Sequence, residues 1–227
     1  GSRDPDLLSR MGERLYHRGP DQHGRFEEED FSAIHSRLAV IDLSEAGRQP
    51  MISADGRYVL VYNGEIYNYA DRRRVYEAQG YVFHTQTDSE VLLASAHCSA
   101  MTDLQELHGM FAFALWDRQE KTLFLARDHL GIKPLYYAVR GSSLTFASEM
   151  KALLPWTGPC RVRASACTQY FAFGFIPGTE TIFEGIEVLP CGRLGIWKQG
   201  KWSWGDDYGA KIRQQKQTNT HSLRETV

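Results

Sequence analysis

Leu7, Leu8, Met11 and Leu15 recur at helical spacing, and Asp4-Pro5 ahead of them supplies an N-cap followed by proline at the first helical position. Gly19-Pro20 predicts the stop. Between residues 31 and 43 the pattern shortens to β-type runs, with Ile34, Leu38, Val40 and Ile41 as the apolar positions. Residues 58–62 predict a strand that ends at Asn63-Gly64, a pair that readily turns the chain. A helix is expected from about residue 70 to 79, closed by Gly80. Another is announced by Thr87-Asp88-Ser89-Glu90, where Thr87 and Glu90 fit a capping box ahead of Val91, Leu92 and Leu93. A short helix near Leu104 precedes four strands at 110–116, 123–127, 135–139 and 144–147, with turns between them.

Strands joined by short turns pair antiparallel, and the helices fall between separate sheet segments. The pattern therefore predicts an α+β fold in which helices cover sheets that pack on each other. Beyond Asp206 the chain becomes polar, with Gln214, Gln215, Gln217 and Asn219, and reads as a linker. Residues 221–227 look like the first turn of a further element. The expected organisation is one domain over 1–208, then a linker and the start of another domain over 209–227.

Composition changes this picture little. The apolar fraction is 42% and the charged fraction 24%, ordinary for a folded water-exposed domain. A net charge of −2 offers no basic field for nucleic acid or an anionic membrane, and no apolar run has membrane-spanning length. Cys98, Cys160, Cys167 and Cys191 form no C-x-x-C pair, so they read as buried thiols in a reducing, cytoplasmic setting, and no metal site is expected.

Four polar clusters interrupt the apolar pattern: 17–21, Ser36-Arg37, 63–68 and 87–90. Each has an ordinary explanation taken singly. Asn-Gly turns chains, Asp88 suits a helix start, and Arg37 could lie on a strand surface. No phosphate-binding loop, dinucleotide fingerprint, metalloprotease helix or nucleophile elbow is present. The eight histidines show no ligand spacing and read as structural or surface residues.

Their joint order is informative. His17-Arg18-Gly19-Pro20-Asp21, Arg37-Leu38-Ala39-Val40-Ile41-Asp42, Gln49-Pro50-Met51, Asn63-Gly64-Glu65-Ile66-Tyr67-Asn68 and Thr87-Asp88-Ser89-Glu90 occur in sequence. They are followed by His108-Gly109-Met110-Phe111, Ala126-Arg127-Asp128-His129-Leu130-Gly131 and Ala147-Ser148-Glu149-Met150-Lys151. The series resembles the glutaminase (class II glutamine amidotransferase, N-terminal-nucleophile hydrolase) domain of glutamine-hydrolysing asparagine synthetases, from roughly residue 4 to 208.

The resemblance implies a four-layer αββα sandwich of two mainly antiparallel sheets, here with the first strand missing. It implies an oxyanion hole from the Asn63 amide and the Gly64 N–H, with Arg37 on the substrate α-carboxylate. Asp88 and Glu65 would take the α-ammonium, and backbone near Leu38 and Val40 would line the pocket. In the family the nucleophile is a processed N-terminal cysteine opening a Cys-Gly-Ile segment, with its own α-amino group as base. No cysteine here is so placed, so the chain alone is expected not to hydrolyse glutamine, and an unpaired sheet edge is expected to lower its stability.

The partners implied are glutamine and a C-terminal synthetase domain that uses ATP and Mg²⁺; a homodimer stays open, and no cofactor is expected in these residues. Two other readings remain: an amidotransferase of a sugar or natural-product pathway, and a non-catalytic domain that binds an amino acid or a partner.

Overall fold

The computed structural model describes residues 6–38 and 47–210. In chain order these carry α1 (Leu7–Glu13), β1 (Gln22–Glu27), β2 (Ser32–Arg37), β3 (Met51–Ile52), β4 (Tyr58–Ile66), α2 (Tyr69–Ala78) and α3 (Ser89–Ser99). β5 (Gly109–Asp117), β6 (Thr122–Arg127), β7 (Tyr136–Arg140), β8 (Ser143–Ala147), α4 (Leu154–Thr157) and α5 (Ala164–Phe173) follow. The chain finishes with β9 (Glu187–Val188), β10 (Leu194–Lys198) and β11 (Lys201–Trp204).

One antiparallel sheet of six strands, in the order β11-β10-β6-β5-β4-β3, forms the centre. Its alternating side chains divide between two cores. On one face Leu60, Tyr62, Ile66, Phe111, Phe113 and Leu115 pack under α3 through Val91, Leu92 and Leu93. On the other, Val59, Ala112, Ala114, Trp116, Leu123 and Leu125 meet Phe31, just ahead of β2, Ala33 of β2 and, at the margin, Phe146 of β8.

The second β layer is split into two pieces, β1-β2 and β8-β7-β9. The stacked rings of Phe31 and Phe146, 6.4 Å apart, show the pieces to be neighbours on the same face of the central sheet. Behind this layer, Met11, Leu15 and Trp156 pack on Ala147, Ala152 and Leu153, which places α1 and α4 outermost. The four-layer α+β sandwich is the fold expected, with the second sheet divided.

Several local expectations are corrected. β4 does not turn at Asn63-Gly64 but runs on to Ile66, in register with β5 throughout. The capping box is not formed. Asp88, not Thr87, is the N-cap of α3, without a side-chain cap bond, and Glu90 instead accepts bonds from the His84 and Thr85 amides at 2.8 and 2.7 Å. β1 was not foreseen because its only large apolar residue is Phe26, so it has no apolar face. Tyr208, buried against His129 and bonded through its hydroxyl to the Arg127 backbone, belongs to the core, although the polar stretch after Asp206 reads as linker. All four cysteines are free and half-buried rather than buried. The expected further element over 221–227 lies outside the described residues. Among the described residues no helix is long and apolar enough to cross a membrane.

Candidate active site

Both strands that face each other across the inter-sheet space change character at the same end. From Phe31, just ahead of β2, the inward positions run on through Ala33, His35 and Arg37 of the strand, and on β4 they run Val59, Val61, Asn63, Glu65. Apolar gives way to polar in each. Between them lies a cleft of about 830 Å³ lined by Arg37, Leu38, Asn63, Gly64, Glu65 and Asp88 at the polar end, and by Phe31, Ala112, Ala114, Trp116, Leu144 and Phe146 further in.

The structure thus brings together every foreseen site residue except Val40, which lies outside the described residues. Leu38 reaches the cleft although its side chain is 59% exposed, which suits a backbone rather than a side-chain contact.

Asn63 carries the most informative atom. Its Nδ2 is buried and has no hydrogen-bond partner among the described residues. A buried amide donor left unmet costs roughly 1–3 kcal/mol, so this group is held ready for an acceptor the described residues do not supply.

Gly64 is adjacent, and its backbone tells the same story. Tyr67 N–H bonds His108 O, which by antiparallel alternation turns the amides of residues 60, 62, 64 and 66 away from β5. β3 lies opposite Leu60. Beyond it, Tyr62 N–H donates to Gln49 Oε1 at 2.6 Å and Ile66 N–H to Asp88 Oδ2 at 2.9 Å. Gly64 N–H is the rung between these two, with no strand opposite it among the described residues. A Cβ at Gly64 would lie 2.2 Å from Met110 O and 2.6 Å from Phe111 Cα, so the tight approach of β4 to β5 here requires glycine.

Charge is placed at the same end. Arg37 is buried on β2, and its Nη1 donates to Gln22 Oε1 of the paired strand at 2.8 Å. Asp88, also buried, accepts the Tyr62 hydroxyl at 2.6 Å and the Ile66 amide on the same oxygen, Oδ2. Its Oδ1 is left for another donor. Burial, then the Asp88 charge, keeps the Tyr62 hydroxyl protonated far above its ordinary range, so Tyr62 stays a donor to Asp88.

The sequence reading passed over three supports. Gln49 supplies in side-chain form the acceptor a longer β3 would have provided. Asp128 gathers the amides of Phe111, Leu130, Ile132 and Lys133 and so fixes the strand behind Gly64. His35 bonds Tyr62 O through Nε2 at 3.1 Å, and burial, with the Arg37 charge nearby, pushes its pKa down to about 4. The one sequence cue for His35 was its place two residues before Arg37, in step with Phe31 and Ala33.

None of the four cysteines lines the cleft. Among the described residues no cluster of three or more metal-ligating side chains occurs.

Comparison with known proteins bears on this geometry. A family model described as glutamine amidotransferase domain matches residues 1–208. Asparagine synthetase [glutamine-hydrolyzing] 1 of Bacillus subtilis is 40% identical over 187 residues, 82% of this chain and 29% of that protein. Asparagine synthetase B of Escherichia coli K12 is 43% identical over 150 residues, 65% of this chain and 26% of that protein. The chain therefore spans less than a third of the length of these two relatives. Among solved structures, the glutamine phosphoribosylpyrophosphate amidotransferase of B. subtilis aligns with a TM-score of 0.54 at 22% identity, over 78% of this chain and 35% of that one, a likeness of fold.

Proposed function

The chain belongs to the glutamine amidotransferase domain family, and from that premise we propose that its cleft binds glutamine and releases ammonia from the side-chain amide. The observation that carries the reading is the unmet Asn63 Nδ2, on the residue next to Gly64 at the polar end of the cleft, where two donors could meet a carbonyl oxygen that gains charge. Arg37 takes the substrate α-carboxylate through its planar donors. Asp88 Oδ1, with Glu65 on the neighbouring face, takes the α-ammonium, and backbone at Leu38 closes the pocket.

The nucleophile is a cysteine at the head of a Cys-Gly-Ile segment that enters the gap between β2 and β8. This fits both the divided second sheet and the absence of cysteine from the cleft lining. Its sulfur attacks the amide carbon, its own α-amino group accepts the thiol proton and returns it to the departing nitrogen, and water then frees glutamate from the thioester. In a protein as long as the relatives, a C-terminal synthetase domain using ATP and Mg²⁺ receives the ammonia and forms asparagine.

The test is to fuse a Cys-Gly-Ile segment followed by alternating apolar residues ahead of the chain and measure ammonia and glutamate from L-glutamine. Turnover that falls about a hundredfold or more in Asn63→Ala, and strongly in kcat/KM in Asp88→Asn, is expected. A folded fusion whose turnover is indifferent to both changes overturns the assignment.

A further inference from the structure

We propose that His35 is a positioning residue for the Asn63 amide and that its Nδ1 accepts a hydrogen bond from an N–H group of whatever occupies the cleft. The proposal rests on the reading of Asn63 and Gly64 as the oxyanion pair.

Three observations meet at this side chain. First, the partner of Nε2 is a carbonyl oxygen, Tyr62 O at 3.1 Å, so Nε2 must carry the hydrogen. A neutral imidazole has one such hydrogen, and Nδ1 is therefore a bare acceptor. Second, Nδ1 is buried and has no partner among the described residues, on a strand face that lines the cleft. An acceptor kept dry and unmet is stable only if something with a donor completes it. Third, Tyr62 turns both its carbonyl and its amide away from β5, and on that side it is held by side chains rather than by a strand. Its carbonyl goes to His35, and the amide of the same residue goes to Gln49 Oε1 at 2.6 Å. Asn63 follows directly, its own amide turned to β5, so the hold on Tyr62 helps to set where the Nδ2 donor points.

His35 thus spans the two sheets where β4 runs on past the end of β3. One nitrogen fixes the scaffold of the oxyanion donors. The other waits for an occupant, and the chemistry it selects is an N–H donor. Such a donor comes either from an amino-acid substrate or from the backbone or terminal amine of the extended segment.

The experiment is a long-range ¹H–¹⁵N correlation on the histidines of the ¹⁵N-labelled 227-residue chain at neutral pH, with L-glutamine titrated in one arm and a Cys-Gly-Ile peptide in the other. The free chain should show His35 protonated on Nε2 alone. Nδ1 should then move upfield in the arm that supplies the donor: glutamine alone assigns it to substrate, the peptide alone to the segment. An Nδ1–H tautomer or an imidazolium in the free chain overturns the proposal. So does an Nδ1 that stays still while Arg37 Nε and Asn63 Nδ2 move, which leaves the glutamine site itself standing. Stillness at all three in both arms overturns the proposal and the glutamine site together.

Two variants separate the nitrogens. His35→Gln keeps a donor near the Nε2 position and should leave the Asn63 amide resonances in place while weakening the ligand about tenfold. His35→Asn keeps an acceptor near Nδ1 and should shift the Asn63 resonances. Equal behaviour of the two variants would mark His35 as mere packing.

Discussion

The two faces of β4 are built from one strand and have opposite characters. Toward α3, Tyr58, Leu60, Tyr62 and Ile66 are all buried, and even the Tyr62 hydroxyl is satisfied by Asp88. Toward the second sheet, Val59 is buried, but Val61, Asn63 and Glu65 are only partly covered. The closed face has its complement within the described residues. The open face borders groups that have no partner among the described residues: the amide Nδ2 of Asn63 and, on β2 in the same cleft, the ring Nδ1 of His35. In this strand the candidate site sits where packing stops.

The sharpest way to break the comparison is to truncate one residue on each face. Leu60→Ala removes a fully buried side chain from a core that cannot collapse around the loss, and should cost about 3 kcal/mol. Val61→Ala borders a cleft that is already open and should cost about 1 kcal/mol or less. Urea unfolding of the two variants measures the difference. Equal losses would mean that the inter-sheet face is as well packed as the other.

Acid should find the open face next. His35 is held at about 4 against an ordinary value near 6.5, chiefly by burial, so the unfolded chain binds a proton the folded chain refuses. The resulting stability is complete above about pH 6.5 and is lost as pH falls toward 4, on the order of 3 kcal/mol in all. A carboxylate behaves differently. Burial would raise Glu149, but Arg18, His17 and Lys151 outweigh it and hold it at about 2, so its contribution survives until pH drops below about 4.5. Stability measured between pH 7 and 5 in parent and His35→Gln isolates the histidine. A flat difference across that window would contradict its buried neutral state.

Gly64→Ala tests the edge where the faces meet. The added methyl runs into Met110 O and Phe111 Cα, both backbone, so the strands must part, at a cost of about 2 kcal/mol. Hydrogen exchange at Glu65 and Met110, paired across β4 and β5, should speed up in the variant.

How much of this the sequence disclosed follows the same division. The closed face was legible because its signals are local: alternation across residues 58–62 and 110–116, and the apolar run after Ser89. The continuation of β4 through Asn63-Gly64 was not, because the acceptors that keep it extended are side chains of Gln49 and Asp88, distant in the chain. Thr87 and Glu90 fit a capping box by spacing, but Glu90 is drawn to the 84–85 amides. α5 shows no amphipathic stripe, since Ala166 is its one buried residue while Phe171 and Phe173 are exposed. At the site, motif order placed Arg37, Asn63, Gly64, Glu65 and Asp88 around one cleft. It gave no hint of the Nδ1 of His35, whose importance lies in lacking a partner and so leaves no trace in residue spacing.

The smallest effect discriminates most finely. Val61→Leu adds one methylene to the open face, where the cleft gives it room beside Ala112 and Ala114. Burying a methylene without displacing a neighbour should stabilise the chain by up to about 0.8 kcal/mol. An enlargement on the closed face, Leu60→Phe, which adds three carbons, meets a filled core and should cost about 1–3 kcal/mol. The sign, read from urea midpoints, thus reports whether space exists. A second reading follows if the cleft is the seat of an extended segment. The methylene that helps the chain alone must then compete with that segment, so Val61→Leu should weaken Cys-Gly-Ile peptide binding while raising the midpoint. A variant that raises both would place the segment elsewhere and leave the inter-sheet space as a simple packing fault.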